Sequence, residues 1–331
     1  MGGSQSWLRT RFPAGPAAEW RLRAGLPVPL WLSRIMMDRI LESNPALADT
    51  LSEREPSKGG TSQRMPAMTP WTSGFCNANG FQIHYLRTGG CKPPLVLLHG
   101  LTACGACWTP LARALAGDYD VVMPDARGHG SSSTPLDGYR YEDHAHDVLE
   151  LIEGLGLVAP VLLGHSMGGM TAAVVASQIT TAIRGVVLAD PTFLSPERQR
   201  EVHESDAVEQ HRRILSSNKS GVLAQLRARH PHRSAELIEL LTEARLETRI
   251  HAFDVLRPPN PEYHGLVSAI SVPILLVIGD NGVVSLETAR ELQRLNPLLQ
   301  VEQIEDAGHG LPYDRPDRLE TVIKPFLRRS S

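Results

Sequence analysis

From Ser73 onward the chain alternates between short apolar runs and longer amphipathic stretches. "SGFCNANGFQIHYLRTGG" predicts two strands joined at Asn79-Gly80, a dipeptide suited to a tight hairpin turn. "PLVLLHG" predicts a buried strand and "WTPLARALAG" a helix ending at glycine. "DVVMPDARGHG" reads as strand then loop, and "YEDHAHDVLELIEGLG" as an amphipathic helix. "PVLLGHSMGGMTAAVVAS" is a strand, a sharp turn and a helix, and "RGVVLADP" is another strand. After a polar interval, "VPILLVIGD", "LETARELQRL", "LQVEQIEDAGH" and "PDRLETVIKPFLRR" continue as strand, helix, strand, helix. This alternation predicts an α/β fold, a mostly parallel twisted sheet with helices on both faces and an antiparallel hairpin at its start.

The polar interval, from about Ser195 to His264, has helical patterning and is too long for a loop. It is expected to cap the carboxyl edge of the sheet, where open α/β folds bind ligands. The division expected is an extension over 1–67, a core built from 68–190 and 266–331, and a helical cap over 191–265. In the extension, "SRIMMDRILE" fits a short amphipathic helix capped by Ser33, and the remainder reads as partly disordered. Five arginines against one glutamate in the first 37 residues weakly resemble an organelle transit peptide, and "MGGSQS" fits a loose myristoylation pattern. The preferred reading is plainer: a flexible extension, or a reading frame that runs upstream of a start at Met65 or Met68.

Composition narrows the function. The 331 residues are 42% hydrophobic with a formal net charge of −3, so a basic face for nucleic acid is not expected. "AGLPVPLWL", the longest apolar stretch of the extension, is interrupted by two prolines, and no membrane span is expected. Four cysteines suggest a reducing compartment, hence the cytoplasm, with organelle targeting as the alternative. "CGAC", Cys104 to Cys107, fits a redox spacing but lacks the strand–helix context, so both are expected to pack. No second Cys or His pair stands at zinc spacing, and neither a metal nor an organic cofactor is expected. The partner expected is a small-molecule substrate, and the composition leaves room for a homodimer.

"GHSMGG" supplies the first chemistry. It matches G-x-S-x-G between an apolar strand and a helix, the context in which a serine is held on a strained turn above a sheet. Gly164 and Gly168 remove side chains that would collide there, and Ser166 is the candidate nucleophile. The amide of Met167 is one candidate oxyanion donor, and the amide of Leu101 in "LLHGL" the second, with Gly100 letting the chain pass close. A serine needs a base near neutral pH, and His309 in "DAGHGLPYD" follows the last strand between two glycines. His99 and His129 fit loop-building segments better. Two aspartates end strands that could reach His309, namely Asp190 in "VVLADP" and Asp280 in "VIGDNG".

"LLHGL", "DARGHGSSS", "GHSMGG" and "DAGHGLPYD" together resemble the α/β-hydrolase superfamily, in order and spacing, over about 260 residues. The resemblance implies the α/β-hydrolase fold with a helical cap insertion, and a mainly architectural role for Asp125, Arg127, Gly128 and Gly130. Many members carry their acid three residues after a glycine at the end of the penultimate strand. Here that slot holds Gly282, and Asp280 stands two residues early. The branch that includes N-formylmaleamate deformylases is similar in "ANGFQIHYLRTGG" and carries its acid one strand earlier, which implies Asp190, with Asp280 as the alternative.

The expected reaction is hydrolysis of a small carboxylic ester or amide through an acyl-enzyme formed by a Ser-His-Asp triad. A lactone or carbon–carbon hydrolase, or a ligand receptor without turnover, is the alternative. Arg213, Arg227, Arg229, Arg233, His230 and His232 are candidates to bind a substrate carboxylate. Tyr263, His264, Met167 and Trp108 are candidates to line the pocket.

Overall fold

The structure, a computed structural model, describes residues 71–178 and 182–330. The expected helix at "SRIMMDRILE", the other readings of residues 1–67 and the expected boundary at 67/68 lie outside the described residues. Strands β1 (Thr72–Ala78) and β2 (Phe81–Arg87) form the hairpin, with Asn79 at φ 52° and Gly80 at φ 78° in the turn. There follow β3 (Pro94–Leu98), a 3-10 turn over Gly105–Trp108, α1 (Thr109–Leu115), β4 (Asp120–Pro124) and α2 (Tyr141–Gly154). Then come β5 (Val161–His165), α3 (Met167–Gln178) and β6 (Gly185–Ala189).

Between β6 and β7 the chain runs through α4 (Pro196–His203), α5 (Ala207–Leu215), α6 (Lys219–Arg229) and α7 (Ala235–Glu247). A 3-10 segment over Ile250–Leu256 and α8 (Tyr263–Ala269) complete this insertion. β7 (Ile274–Asn281), α9 (Leu286–Leu295), β8 (Leu299–Gly308), α10 (Leu311–Asp314) and α11 (Pro316–Arg329) finish the chain.

The sheet has eight strands in the order β1-β2-β4-β3-β5-β6-β7-β8. The β1–β2 and β2–β4 pairs are antiparallel and all others parallel. Every residue of β5 and β6 is buried, as a central strand covered on both faces requires. Their side chains sort by the pleat. Val96, Leu98, Leu162, Val186, Leu188 and Leu276 face the core under α2, α3, α8 and α9. Leu95, Leu97, Leu163, Val187 and Leu275 face the core under α1 and α11.

A third apolar cluster seats the insertion. Val222 and Leu226 of α6 and Leu237, Ile238 and Leu241 of α7 pack on Ala103, Cys104, Cys107 and Tyr313. Cys104 and Cys107 are buried free thiols, their sulfurs 3.9 Å apart, and they serve that packing. The "DARGHG" loop is fastened just as firmly. Asp125 accepts from the Gly105 amide (2.7 Å), the Ser131 amide (3.0 Å) and His84 (2.8 Å), while buried Arg127 pairs with Asp147 at 2.5 Å.

His129, His144 and His165 are buried, and each keeps one ring nitrogen without a partner. Burial disfavours their charged forms: His144 and His165 are pushed down from 6.5 to about 3, and His129 well below 6.5. Below 6.5 the unfolded chain therefore takes up protons that the folded chain refuses, and stability is lost as pH falls toward 3. Each such ring removes up to roughly 1.4 kcal/mol per pH unit. Urea unfolding at pH 7 and pH 5 is expected to show a loss on the order of a few kcal/mol, ahead of most carboxylate titration. Equal stability at the two pH values would refute the neutral, buried state of these rings.

Candidate active site

Ser166 stands between β5 and α3 at φ 53°, a left-handed conformation that a non-glycine residue holds only when its surroundings enforce it. The Ser166 amide donates to the Ala189 carbonyl (3.2 Å), and its carbonyl accepts from the Met170 amide (3.0 Å). Space for this turn comes from the flanking glycines. A Cβ on Gly164 would fall on the Gly168 carbonyl, and one on Gly168 would fall on the Leu98 carbonyl. Met167 opens α3, so its amide has no acceptor within the helix. Gly100 runs directly against the serine, since a Cβ there would lie 3.1 Å from Ser166 Cβ. Leu101 and Met167 both line the cavity that contains Ser166. His99 holds this loop in place, bonding the Gly100 carbonyl at 2.8 Å and accepting the Ala126 amide at 2.9 Å.

His309 follows β8. Its Nε2 lies 2.8 Å from Ser166 Oγ, and its Nδ1 lies 2.6 Å from Asp190 Oδ2. Asp190 is fully buried and also left-handed, at φ 43°. Its carboxylate accepts two further bonds, from the Val283 amide (2.8 Å) and the Val284 amide (3.0 Å). A carboxylate between His309 Nδ1 and two amides fixes the ring tautomer: Nδ1 carries the proton, and Nε2 presents a lone pair to the serine. Asp280 is exposed, and its carboxylate accepts the Asp306 amide at 2.7 Å. The structure therefore brings Ser166, His309 and Asp190 together and leaves Asp280 tying two strand ends.

Gly282 explains why the carboxylate stands where it does. A Cβ at 282 would lie 2.6 Å from Asp190 Oδ1 and 2.9 Å from its Cγ. The slot after β7 and the end of β6 thus address the same space, and one carboxylate occupies it.

Residues 93–316 match the family model described as alpha/beta hydrolase fold. The chain belongs to the α/β-hydrolase family. It is 32% identical over 261 residues to N-formylmaleamate deformylase of Pseudomonas putida, an alignment covering 77% of this chain and 96% of the relative. It is 28% identical over 256 residues to 2-(acetamidomethylene)succinate hydrolase of Mesorhizobium japonicum, covering 73% and 90% respectively. A crystal structure of an N-formylmaleamic acid deformylase from Pseudomonas putida superposes with TM-score 0.67 at 26% identity, covering 76% of this chain and all of the other.

In this α/β-hydrolase the cavity at Ser166 measures about 300 Å³. Several expected lining residues are elsewhere. Trp108 is buried in the core against Tyr313, with ring centroids 6.4 Å apart. Tyr263 stacks on Phe193 at 5.0 Å and His264 stacks on Tyr263 at 4.2 Å, so both rings are engaged outside the cavity wall. Arg213 pairs with Asp206, Arg227 with Glu239 and Arg233 with Asp314. Arg229, His230 and His232 border a separate groove that also includes Arg315. The insertion arginine that does line the cavity is Arg198, which the sequence hides among the charges of α4, and Tyr141, Thr192, Gln199 and Asn260 join it. Among the described residues no cluster of His, Cys, Asp and Glu could hold a metal ion, and no helix is long and apolar enough to cross a membrane.

The contact between Gly282 and Asp190 yields a prediction. Gly282→Ala should push the Asp190 carboxylate off His309 and lower stability by roughly 1–3 kcal/mol, the usual range for an overpacked site. The downfield proton resonance of the His309 Nδ1–H reads the first effect, and thermal unfolding reads the second. An unchanged melting temperature with an unmoved resonance would show that the turn yields freely.

Proposed function

We propose that this protein is a serine hydrolase that cleaves a small carboxylic amide or ester through an acyl-enzyme. The observation carrying this reading is the continuous chain from Ser166 Oγ through His309 to Asp190, with links of 2.8 Å and 2.6 Å. As Ser166 Oγ attacks the substrate carbonyl, its proton passes to His309 Nε2. The imidazolium so formed is stabilised by Asp190, which remains a carboxylate. The carbonyl oxygen gains negative charge and is received by the Met167 and Leu101 amides, a contribution of about 3 kcal/mol per donor in comparable sites. His309 then protonates the departing amine or alcohol. Water, deprotonated by the same Nε2, attacks the acyl-enzyme, and the collapse of the second tetrahedral species returns the proton to Ser166. No step calls for a metal or an organic cofactor.

Amide cleavage is favoured by the two relatives, both named for substrates with an acylated nitrogen, N-formylmaleamate and 2-(acetamidomethylene)succinate. The helices between β6 and β7 act in this reading as a cap, supported by Arg198, Gln199, Val202, Val255 and Asn260, which line the same cavity as Ser166. A cytoplasmic location fits four cysteines that are all free thiols.

A fluorophosphonate should label wild-type protein at Ser166 and fail to label Ser166→Ala. On formamides and short acyl esters, Asp190→Asn is expected to lower kcat by roughly 10³–10⁴-fold, the range for a triad whose histidine loses its orienting carboxylate. Asp280→Asn should stay within about threefold of wild type, as a surface tie distant from proton transfer. The reverse ranking of the two variants would return the acid to the end of β7.

A further inference from the structure

We propose that Arg198 is a subsite for a carboxylate on the substrate, so that the reaction selects acyl compounds bearing a second, anionic carboxyl group. This rests on the hydrolase reading above and deepens it by naming the substrate class. The cavity at Ser166 is mostly apolar on its inner wall, with Leu101, Met167, Leu194, Val202, Val255 and Val283 all contributing. Besides His309, Arg198 is the single ionisable cation on that wall, and among the described lining residues there is no aspartate or glutamate. Arg198 has no acid beside it in the described lining, and its one acidic partner, Glu201, stands outside that lining in a pair open to solvent, so a substrate anion in the cavity can take Arg198 by exchange.

The backbone around Arg198 is fixed while its side chain is free to exchange partners. Its amide donates to Ser195 Oγ at 3.3 Å in the first turn of α4. The neighbouring Gln199 is buried and ties two segments of the wall: its Nε2 donates to the Leu194 carbonyl (3.0 Å), and its Oε1 accepts the Asn260 amide (2.9 Å). The Arg198 guanidinium itself meets only Glu201, at 2.7 Å, in a pair whose side chains are 63% and 62% exposed. Solvent screens such a helical pair, so exchanging Glu201 for a substrate carboxylate costs little. A guanidinium also offers two parallel N–H groups to a carboxylate, a planar match that orients the ligand. The other insertion arginines considered above face Asp206, Glu239, Asp314 or a separate groove, so none competes for this role.

The test uses two probes of matched shape, monomethyl succinate and methyl succinamate, which differ in a carboxylate against a neutral amide. Each is measured for protection of Ser166 from a fluorophosphonate and, by calorimetry in a Ser166→Ala background that cannot turn the esters over, for direct binding. Wild type should favour the anion, and the preference should weaken with added salt. Arg198→Met should reduce the anion-to-neutral ratio by at least about tenfold, the equivalent of one charge-assisted contact. Glu201→Gln, which leaves Arg198 in place, should keep the preference. Equal binding of the two probes to wild type, or an unchanged ratio in Arg198→Met, overturns the subsite. Absence of any labelling at Ser166 overturns the hydrolase reading instead, while the calorimetric ratio still decides whether Arg198 receives the carboxylate.

Discussion

The buried Asp190 carboxylate is the constraint on which the site depends. A carboxylate with no solvent exposure is tolerated only when hydrogen bonds replace its hydration, and here three donors do so: His309 Nδ1 and the amides of Val283 and Val284. Those donors come from the turn after β8 and the turn after β7, while Asp190 itself ends β6. One charged group thereby pins three strand ends that are far apart in sequence. The arrangement is held against backbone preference, because both Ser166 and Asp190 are left-handed. Such residues cost of order 1–3 kcal/mol each, which the fully buried β5 and β6 on which they stand must offset.

The parts legible in the sequence were those that local rules determine. The Asn79-Gly80 dipeptide marked the hairpin, continuous apolar runs marked β3, β5 and β6, and amphipathic spacing marked α2. Ser166 and His309 were legible because steric demands at the nucleophile turn leave a glycine pattern on neighbouring positions. The choice between Asp190 and Asp280 was not decidable from spacing. It depends on where a side chain points after β7, whose pairing with β8 shifts register between Gly279 and Asn281. The signal in the chain was Gly282, where absence of a side chain is the mark of a carboxylate arriving from another strand.

Arg198 escaped for a different reason. In α4 it stands among Glu197, Arg200 and Glu201, and nothing in that charge pattern separates a cavity-facing residue from a solvated one. Its placement depends on how the chain leaves the Asp190–Pro191 corner and on the Gln199 bonds to the Leu194 carbonyl and the Asn260 amide, contacts between segments 61 residues apart in one case. Trp108 failed as a lining residue by the same logic. An aromatic close to a glycine loop looks poised for a pocket, but the 3-10 turn at Gly105–Trp108 sends it into the core beside Tyr313.

His309 is held from more than one side, and the charge state of its neighbour matters to the proposed proton transfer. His165 Nε2 lies 2.7 Å from the His309 carbonyl, a contact in which the ring must donate, leaving Nδ1 bare and without a partner. Tyr313 packs edge-on against His165 at 5.4 Å, and Arg233 from the insertion lies over Tyr313 at 5.6 Å while bonding Asp314 at 2.7 Å. The turn carrying His309 is thus braced by the nucleophile strand and by the insertion together. A bracing group only 5.1 Å from the His309 ring would oppose the imidazolium if it were itself charged. Burial, together with the neighbouring His309, pushes His165 down to about 3, so it supplies a hydrogen bond without supplying a charge. Position is thereby fixed by a neutral donor and charge is left to Asp190, a separation of duties that a lysine or arginine at 165 could not reproduce.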